Sequence, residues 1–227
     1  MHLILSIFIP GAAYYFANRA LIGFCVPLLG ISTVALFSLT RWIIEPHLFI
    51  ILNAILIGLH FISLMHGSLI RKKLNSQSPY ERSSRYALMT LVVVNISVII
   101  ISHIHKSALF GFELFHVPSA SMSPTIRTGD IVLTDTRLET SSLNRSDIIV
   151  FKRHTRGIVL LKRLQDIRRT NSDNLELYVV GDNAYRSQDS RSFGWVDSRY
   201  FIGRVTGVLF SLNRENKFND TYPRQLK

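Results

Sequence analysis

Hydrophobic residues are not spread evenly along this chain. Nearly all of the long apolar runs lie before Lys106. From Ala20 to Thr40, "ALIGFCVPLLGISTVALFSLT", no charge interrupts the sequence, and a helix of that length reaches across the hydrocarbon core of a bilayer. A second run extends from about His47 to Ile70, and a third, "YALMTLVVVNISVIII", from Tyr86 to about Ile104. Buried helices of a soluble bundle would carry polar faces at helical spacing. These runs have almost none, so the pattern predicts spans at about 20–40, 47–70 and 86–104. The opening "LILSIFIPGAAYYF", about residues 3–17, is broken by Pro10-Gly11 and short for a full crossing, which predicts an interfacial or re-entrant piece. It lacks the basic leader of a cleavable signal peptide and is expected to stay on the mature protein.

After Phe110 the pattern changes to short runs rich in β-branched and aromatic residues: "GFELFHV", "DIVLTD", "DIIVFKR", "GIVLLKR", "LELYVVGD" and "YFIGRVTGVLF". Polar or Gly-containing turns separate them, the signature of an antiparallel β domain. The expected architecture is therefore N-terminal transmembrane α-helices, a membrane anchor over residues 1–108, followed by a mainly-β domain over 109–227. No internal repeat or low-complexity segment is evident.

Charge adds an orientation. Arg71, Lys72, Lys73, Arg82 and Arg85 crowd the connection 71–85 between the second and third runs, and short basic loops stay cytoplasmic. The third run then leads out of the cytoplasm, and the β domain is expected on the far side of the membrane. The formal net charge of +11 divides between this loop and a domain whose bases alternate with acids. No basic stripe with aromatic platforms emerges, so nucleic acid is not expected as a partner; contact with membrane lipid headgroups explains the charge more cheaply. The single cysteine, Cys25, lies inside the first run, leaving the β domain without disulfide or thiol chemistry.

Candidate chemistry begins at "HVPSASMSPTIRTGD", His116 to Asp130. Ser119 and Ser121 are spaced to lie on one side of an extended segment, so that one hydroxyl could attack a carbonyl while the other steadies its oxygen. A histidine base is possible on paper with His154, but no G-x-S-x-G elbow is present and "FKRHTRG" reads as a solvated turn. Lysine is the other base. Lys162 ends the apolar "GIVLLKR", where desolvation would favour the neutral amine; Lys152, in "IIVFKRH", has an almost identical setting and spacing does not separate the two. In "GDNAYRSQDSRSFGWV", Ser187, Asp189 and Arg191 alternate and would share a face if extended. Histidines and cysteines are too sparse for a metal cage, and neither metal nor cofactor is expected.

Together these segments resemble the type I signal peptidase family: "PSASMSPTIRTGD" its nucleophile box, "RSDIIVF" the next strand box (usually with Gly where Ser146 stands), "LLKR" the lysine box and "GDNAYRSQDSRSFGWV" the last. The resemblance covers roughly Phe112 to Gly207. It implies that Ser121 is the nucleophile and Lys162 the general base, with an oxyanion donor from Ser119 and another from the Ser121 amide. It further implies that Ser187 orients the lysine amine, with Asp189 and Arg191 as the pair behind it. The implied activity is removal of signal peptides from exported preproteins with small residues one and three positions before the cut, at a bacterial inner membrane with the catalytic domain on the periplasmic side. Two departures stand out. The usual Gly-x-Pro-Gly-Asp run after the lysine is replaced by "KRLQDIRRTNSD", and the anchor has more spans than is common. A specialised relative such as a conjugative-pilin maturation peptidase, or a catalytically silent signal-peptide-binding membrane protein, are the alternative readings. The topology is testable: a reporter fused after Lys227 should be active only outside the cytoplasm, and one placed between Arg71 and Arg85 only inside.

Overall fold

The computed structural model describes residues 6–17, 19–73, 82–153, 157–170, 174–213 and 221–226. The chain divides into two compact units, residues 1–42 with 50–109 and residues 43–49 with 110–227.

The first unit is helical. A short helix α1 (Ala12–Phe16) precedes α2 (Ala20–Leu39), α3 (Pro46–Lys73) and α4 (Arg82–Ile104), and a short α5 (Lys106–Phe110) follows. Pro46 opens α3 at the one helical position where its missing N–H costs nothing. At 20 and 28 residues, α2 and α3 are long and apolar enough to cross a membrane, and α4 carries a shorter apolar stretch, Leu88–Ile101. Leu21, Leu39, Ile62, Leu69 and Ile99 all face outward, an arrangement that suits hydrocarbon surroundings rather than water. Inside the unit, Ala12, Tyr15 and Leu91 are fully buried, with Ile9, Phe24 and Leu88 packed on them. Two α3 histidines hold the leading segment: Tyr14 Oη and His66 Nδ1 are hydrogen-bonded at 2.7 Å, and His60 Nε2 lies 2.6 Å from the Ile7 carbonyl. Most of the basic connection, residues 74–81, lies outside the described residues.

The second unit is a single antiparallel sheet. Its strands are β1 (Phe112–His116), β2 (Asp130–Asp135), β3 (Ile148–Lys152), β4 (Val159–Arg169), β5 (Leu175–Val180), β6 (Val196–Asp197), β7 (Phe201–Ser211) and β8 (Arg224–Gln225). Spatial order is β1-β2-β7-β3-β4-β5-β6, with β8 also paired to β7. The architecture is thus apolar N-terminal helices followed by an antiparallel β domain, as the hydrophobic pattern predicts. Alternation along β3 feeds two cores: Ile148 and Val150 join Val117, Met122, Ile126, Val132, Val205 and Val208, whereas Ile149 and Phe151 join Leu143, Leu164, Leu177, Val179 and Val196. The first four of the five β3 residues are buried, as a strand central to its sheet requires.

Three local features shape the surroundings of Lys162. β4 does not stop at the lysine; it runs on to Arg169, with a register shift between Leu164 and Asp166. Where the family usually has a Gly-x-Pro-Gly-Asp run, this chain therefore extends a hairpin. The segment "QDSRSF" is not extended either: Asp189 caps a four-residue helix α6 (Ser190–Phe193), accepting from the Arg191 N–H. Finally, Ser146 has φ 77, a left-handed conformation costly for any residue with a Cβ. That is the physical reason glycine suits this position, and the strain is held in place by hydrogen bonds from Ser146 N to the Leu164 carbonyl (2.8 Å) and from Arg163 Nη1 to the Ser146 carbonyl (2.7 Å).

Candidate active site

Ser121 sits on the long connection from β1 to β2. Its neck is closed by Val117 N bonded to the Asp130 carbonyl (2.9 Å) and Gly129 N to the Val117 carbonyl (2.8 Å). Within it, Ile126 N reaches back to the Met122 carbonyl at 2.9 Å, and both side chains are sunk in the core, Met122 at 1% and Ile126 at 0% exposure. A hydroxyl flanked by such anchors has little freedom to wander. Ser121 is itself buried, while Ser119 is exposed at the rim; their hydroxyl oxygens are 3.4 Å apart, a long hydrogen bond.

Lys162 lies in the middle of β4, opposite Ile149 of β3. Leu160 and Leu164 share its face, and Ile149 and Leu164 are completely buried. The lysine is 3% exposed, and its Nζ is hydrogen-bonded to Ser121 Oγ at 2.6 Å. Lys152, indistinguishable from it by sequence, is exposed at the end of β3. Burial lowers the pKa of Lys162 from the ordinary lysine value; the Asp189 carboxylate opposes this, the Arg191 guanidinium assists it and Asp182 opposes it. The sign is set by desolvation, since a buried ammonium has lost its hydration. His154 lies outside the described residues.

A third element closes over the pair. β5 ends at Val180, opposite Arg163, and the chain turns away as Gly181-Asp182-Asn183. Asn183 N donates to the Ser121 carbonyl at 3.0 Å. Gly181 approaches so closely that a Cβ there would collide with Ser187 Oγ and the Ser121 carbonyl oxygen; only glycine fits. Asp189, 1% exposed, collects Gly181 N (2.9 Å), Ser187 Oγ (2.7 Å), and Arg191 through N (3.2 Å), Nε (2.9 Å) and Nη2 (2.5 Å). Burial alone would raise its pKa, but the bonds from Arg191, Gly181 and Ser187 hold it well below the usual carboxylate range. The Ser187 hydroxyl thus spends its proton on Asp189, and Ser190 Oγ accepts from Val179 N at 2.9 Å.

Ser119, Ser121, Lys162, Ser187, Asp189 and Arg191 are therefore brought to one place by three stretches far apart in sequence. Several supporting residues were not singled out by their pattern. Arg163, next to the lysine, grips Asp182 with two parallel bonds of 2.7 Å, from Nε to Oδ1 and from Nη2 to Oδ2, and reaches the Ser146 carbonyl. A forked pair of this kind fixes direction as well as distance. It ties the strand that carries Lys162 to the loop that holds the Ser121 carbonyl. The only sequence hint is that both partners fall inside resemblance boxes, "LLKR" and "GDN"; their pairing across 19 positions has no periodic signal. Among the described residues no group of three or more His, Cys, Asp or Glu gathers to hold a metal ion.

Residues 86–167 match the family model for signal peptidase, peptidase S26. Over that stretch the chain is similar to the signal peptidases. Signal peptidase I W of Bacillus subtilis (strain 168) is 28% identical over 101 residues, covering 43% of this chain and 52% of that relative. The chain thus matches about half the length of that curated relative. Ser119, Ser121, Lys162 and Arg163 fall inside the matched signal peptidase region, and the Gly181–Val196 segment lies beyond it. Replacing Gly181 by Ala tests the closeness of these stretches: the added methyl should push the Ser121 carbonyl and Ser187 apart, lowering turnover on the order of a hundredfold for a displacement near 1 Å, while near-ultraviolet circular dichroism stays native.

Proposed function

We propose that this protein is a membrane-bound serine endopeptidase that removes N-terminal signal peptides from exported preproteins by a Ser-Lys dyad. The observation that carries the reading is the buried 2.6 Å contact between Lys162 Nζ and Ser121 Oγ. With the amine neutral, the Ser121 hydroxyl donates to the nitrogen lone pair as its oxygen attacks the scissile carbonyl carbon. The oxyanion that forms is met by the Ser119 hydroxyl and the Ser121 amide. Lys162, now an ammonium, returns the proton to the departing amine, leaving the signal peptide esterified to Ser121. Water then attacks that ester, Lys162 taking its proton and afterwards giving it back to Ser121 Oγ. Ser187, Asp189 and Arg191 hold the wall of the lysine pocket in place. Small side chains one and three positions before the cut fit an extended substrate whose alternate residues enter shallow pockets. The helices anchor the enzyme in a bacterial inner membrane, with the β domain on the exported side where preproteins emerge.

In detergent micelles with a model preprotein, Ser121→Ala and Lys162→Met should each reduce cleavage by on the order of 10⁴-fold or more, Lys152→Ala by little. Ser119→Ala should cost ~3 kcal/mol in the transition state, about two orders of magnitude in turnover. N-terminal sequencing of the product identifies the bond cut. Cleavage that survives Lys162→Met but not Lys152→Ala would refute the assignment of the base.

The pH profile follows from the same burial. Activity needs the neutral amine, whose fraction rises with pH through the Lys162 pKa, so the acid limb of kcat should lie below the ordinary lysine value near ~10.4. Arg191 lowers that pKa and Asp189 raises it. Arg191→Met removes the favourable charge and leaves Asp189 uncompensated, so both effects move the limb to higher pH. A limb that moves to lower pH in this variant would contradict the electrostatic account.

A further inference from the structure

The segment Thr221–Leu226 lies beyond both the family match at 86–167 and the resemblance ending near Gly207, yet it reaches the loop that carries Ser121. The point of contact is Asp130. Its side chain is completely buried, and a buried carboxylate persists only where donors replace its water. Arg127 N (3.0 Å) and Arg224 Nη2 (3.0 Å) donate to Oδ2, and Tyr222 Oη (3.1 Å) donates to Oδ1. The backbone of the same residue closes the neck of the loop, its carbonyl accepting from Val117 N (2.9 Å) and its N–H donating to the Arg127 carbonyl (3.1 Å). Asp130 is thereby the place where loop and segment meet.

A second contact is apolar. Tyr222 and Leu226 pack against the core cluster containing Val117, Met122 and Ile126, and Met122 follows Ser121 directly. The segment is itself fixed to the sheet: β8 pairs Gln225 with Gly207 and Arg224 with Val208, and Leu226 N donates to the Thr206 carbonyl at 3.1 Å. It therefore meets the loop at its neck through Asp130 and joins the core cluster to which Met122 and Ile126 belong, with its own footing on β7.

We propose that Thr221–Leu226 is a strap that positions the nucleophile loop, with Arg224 and Tyr222 acting on Ser121 through Asp130. They are positioning residues, touching neither Ser121 Oγ nor Lys162. The catalytic part of this inference rests on the reading of Ser121 as nucleophile; the structural part does not. Losing Arg224 removes its ion pair with the Asp130 carboxylate, so the neck hydrogen bonds should open more often and Ser121 should spend less time in line with Lys162. Because the change acts on the placement of Ser121, the loss is expected in kcat rather than KM.

The test uses the full chain in micelles, comparing wild type with Arg224→Met, Arg224→Lys and Tyr222→Phe by backbone hydrogen exchange and by preprotein cleavage. In Arg224→Met the amides of Val117, Gly129 and Asp130 should exchange at least about tenfold faster while the β4–β5 ladder is unchanged, and kcat should fall about tenfold at constant KM. Arg224→Lys should recover part of both effects, since it restores the charge. Tyr222→Phe should show the same pattern more weakly, and decides the matter should Arg224→Met fail to fold. Unchanged exchange at those three amides, or equal acceleration across the whole sheet, would overturn the strap. Faster neck exchange with unaltered kcat would overturn its catalytic role. A wild type as inactive as Ser121→Ala would count against the peptidase reading alone, with the exchange data still deciding the strap.

Discussion

A lysine can act as a base only where water is kept from it, and on the proposed mechanism the arrangement around Lys162 answers that demand. Desolvation is supplied by the strand itself: Ile149 opposite, Leu160 and Leu164 on the same face. The danger in such a pocket is a nearby carboxylate, which would stabilise the ammonium and cancel the benefit of burial. Two are present, Asp189 and Asp182, and each is bound by its own arginine, Arg191 and Arg163 respectively. On the proposed mechanism, these two pairs let acidic residues organise the walls of the pocket without claiming the proton of the amine.

The sheet order explains how Lys162 and Ser121, 41 positions apart, come into register. β7 lies between β2 and β3, so the loop leaving β1 and the hairpin of β3 and β4 are carried on neighbouring parts of one surface. The Gly181–Asn183 turn then fastens the Ser121 carbonyl from the other hand, and Arg163 links that turn back to β4. None of these ties is long, but they form a closed circuit through three separate stretches of chain. Closing such a circuit restricts each member far more than a single contact would.

Much of this was legible in the sequence. Short β-rich runs located the six longer strands, and "DIVLTD" coincides with β2 at both ends. Charge-free stretches located α2 and α3, and the order of four short boxes pointed to the signal peptidase family. What the sequence hid falls into two kinds. Two-residue strands such as β6 and β8, and the short α6, are too brief to show any periodicity, so the alternation of Ser187, Asp189 and Arg191 suggested an extended stretch where the chain coils around Asp189. The other kind is burial by distant chain: Lys152 and Lys162 follow equally apolar residues, and only the tertiary environment leaves one in water and encloses the other. The Asp130 contacts with Tyr222 and Arg224 are hidden for the same reason, since nothing local in "TYPRQLK" announces a partner some ninety positions earlier.

The shift in β4 between Leu164 and Asp166 has a bearing on how such a sequence can change over time. Because side chains alternate, slipping β4 by one residue would exchange Lys162 for Arg163 and put a permanently charged guanidinium where the proposed mechanism needs a neutral amine. The irregularity stands just beyond these two residues, between them and the distal hairpin. It can absorb a change of length in that hairpin without passing it on to the reactive pair. The distal hairpin is also where this chain abandons the usual Gly-x-Pro-Gly-Asp run for "LQDIRRTNSD". The irregularity in the ladder thus insulates the register of the inner strand from the length of the outer loop.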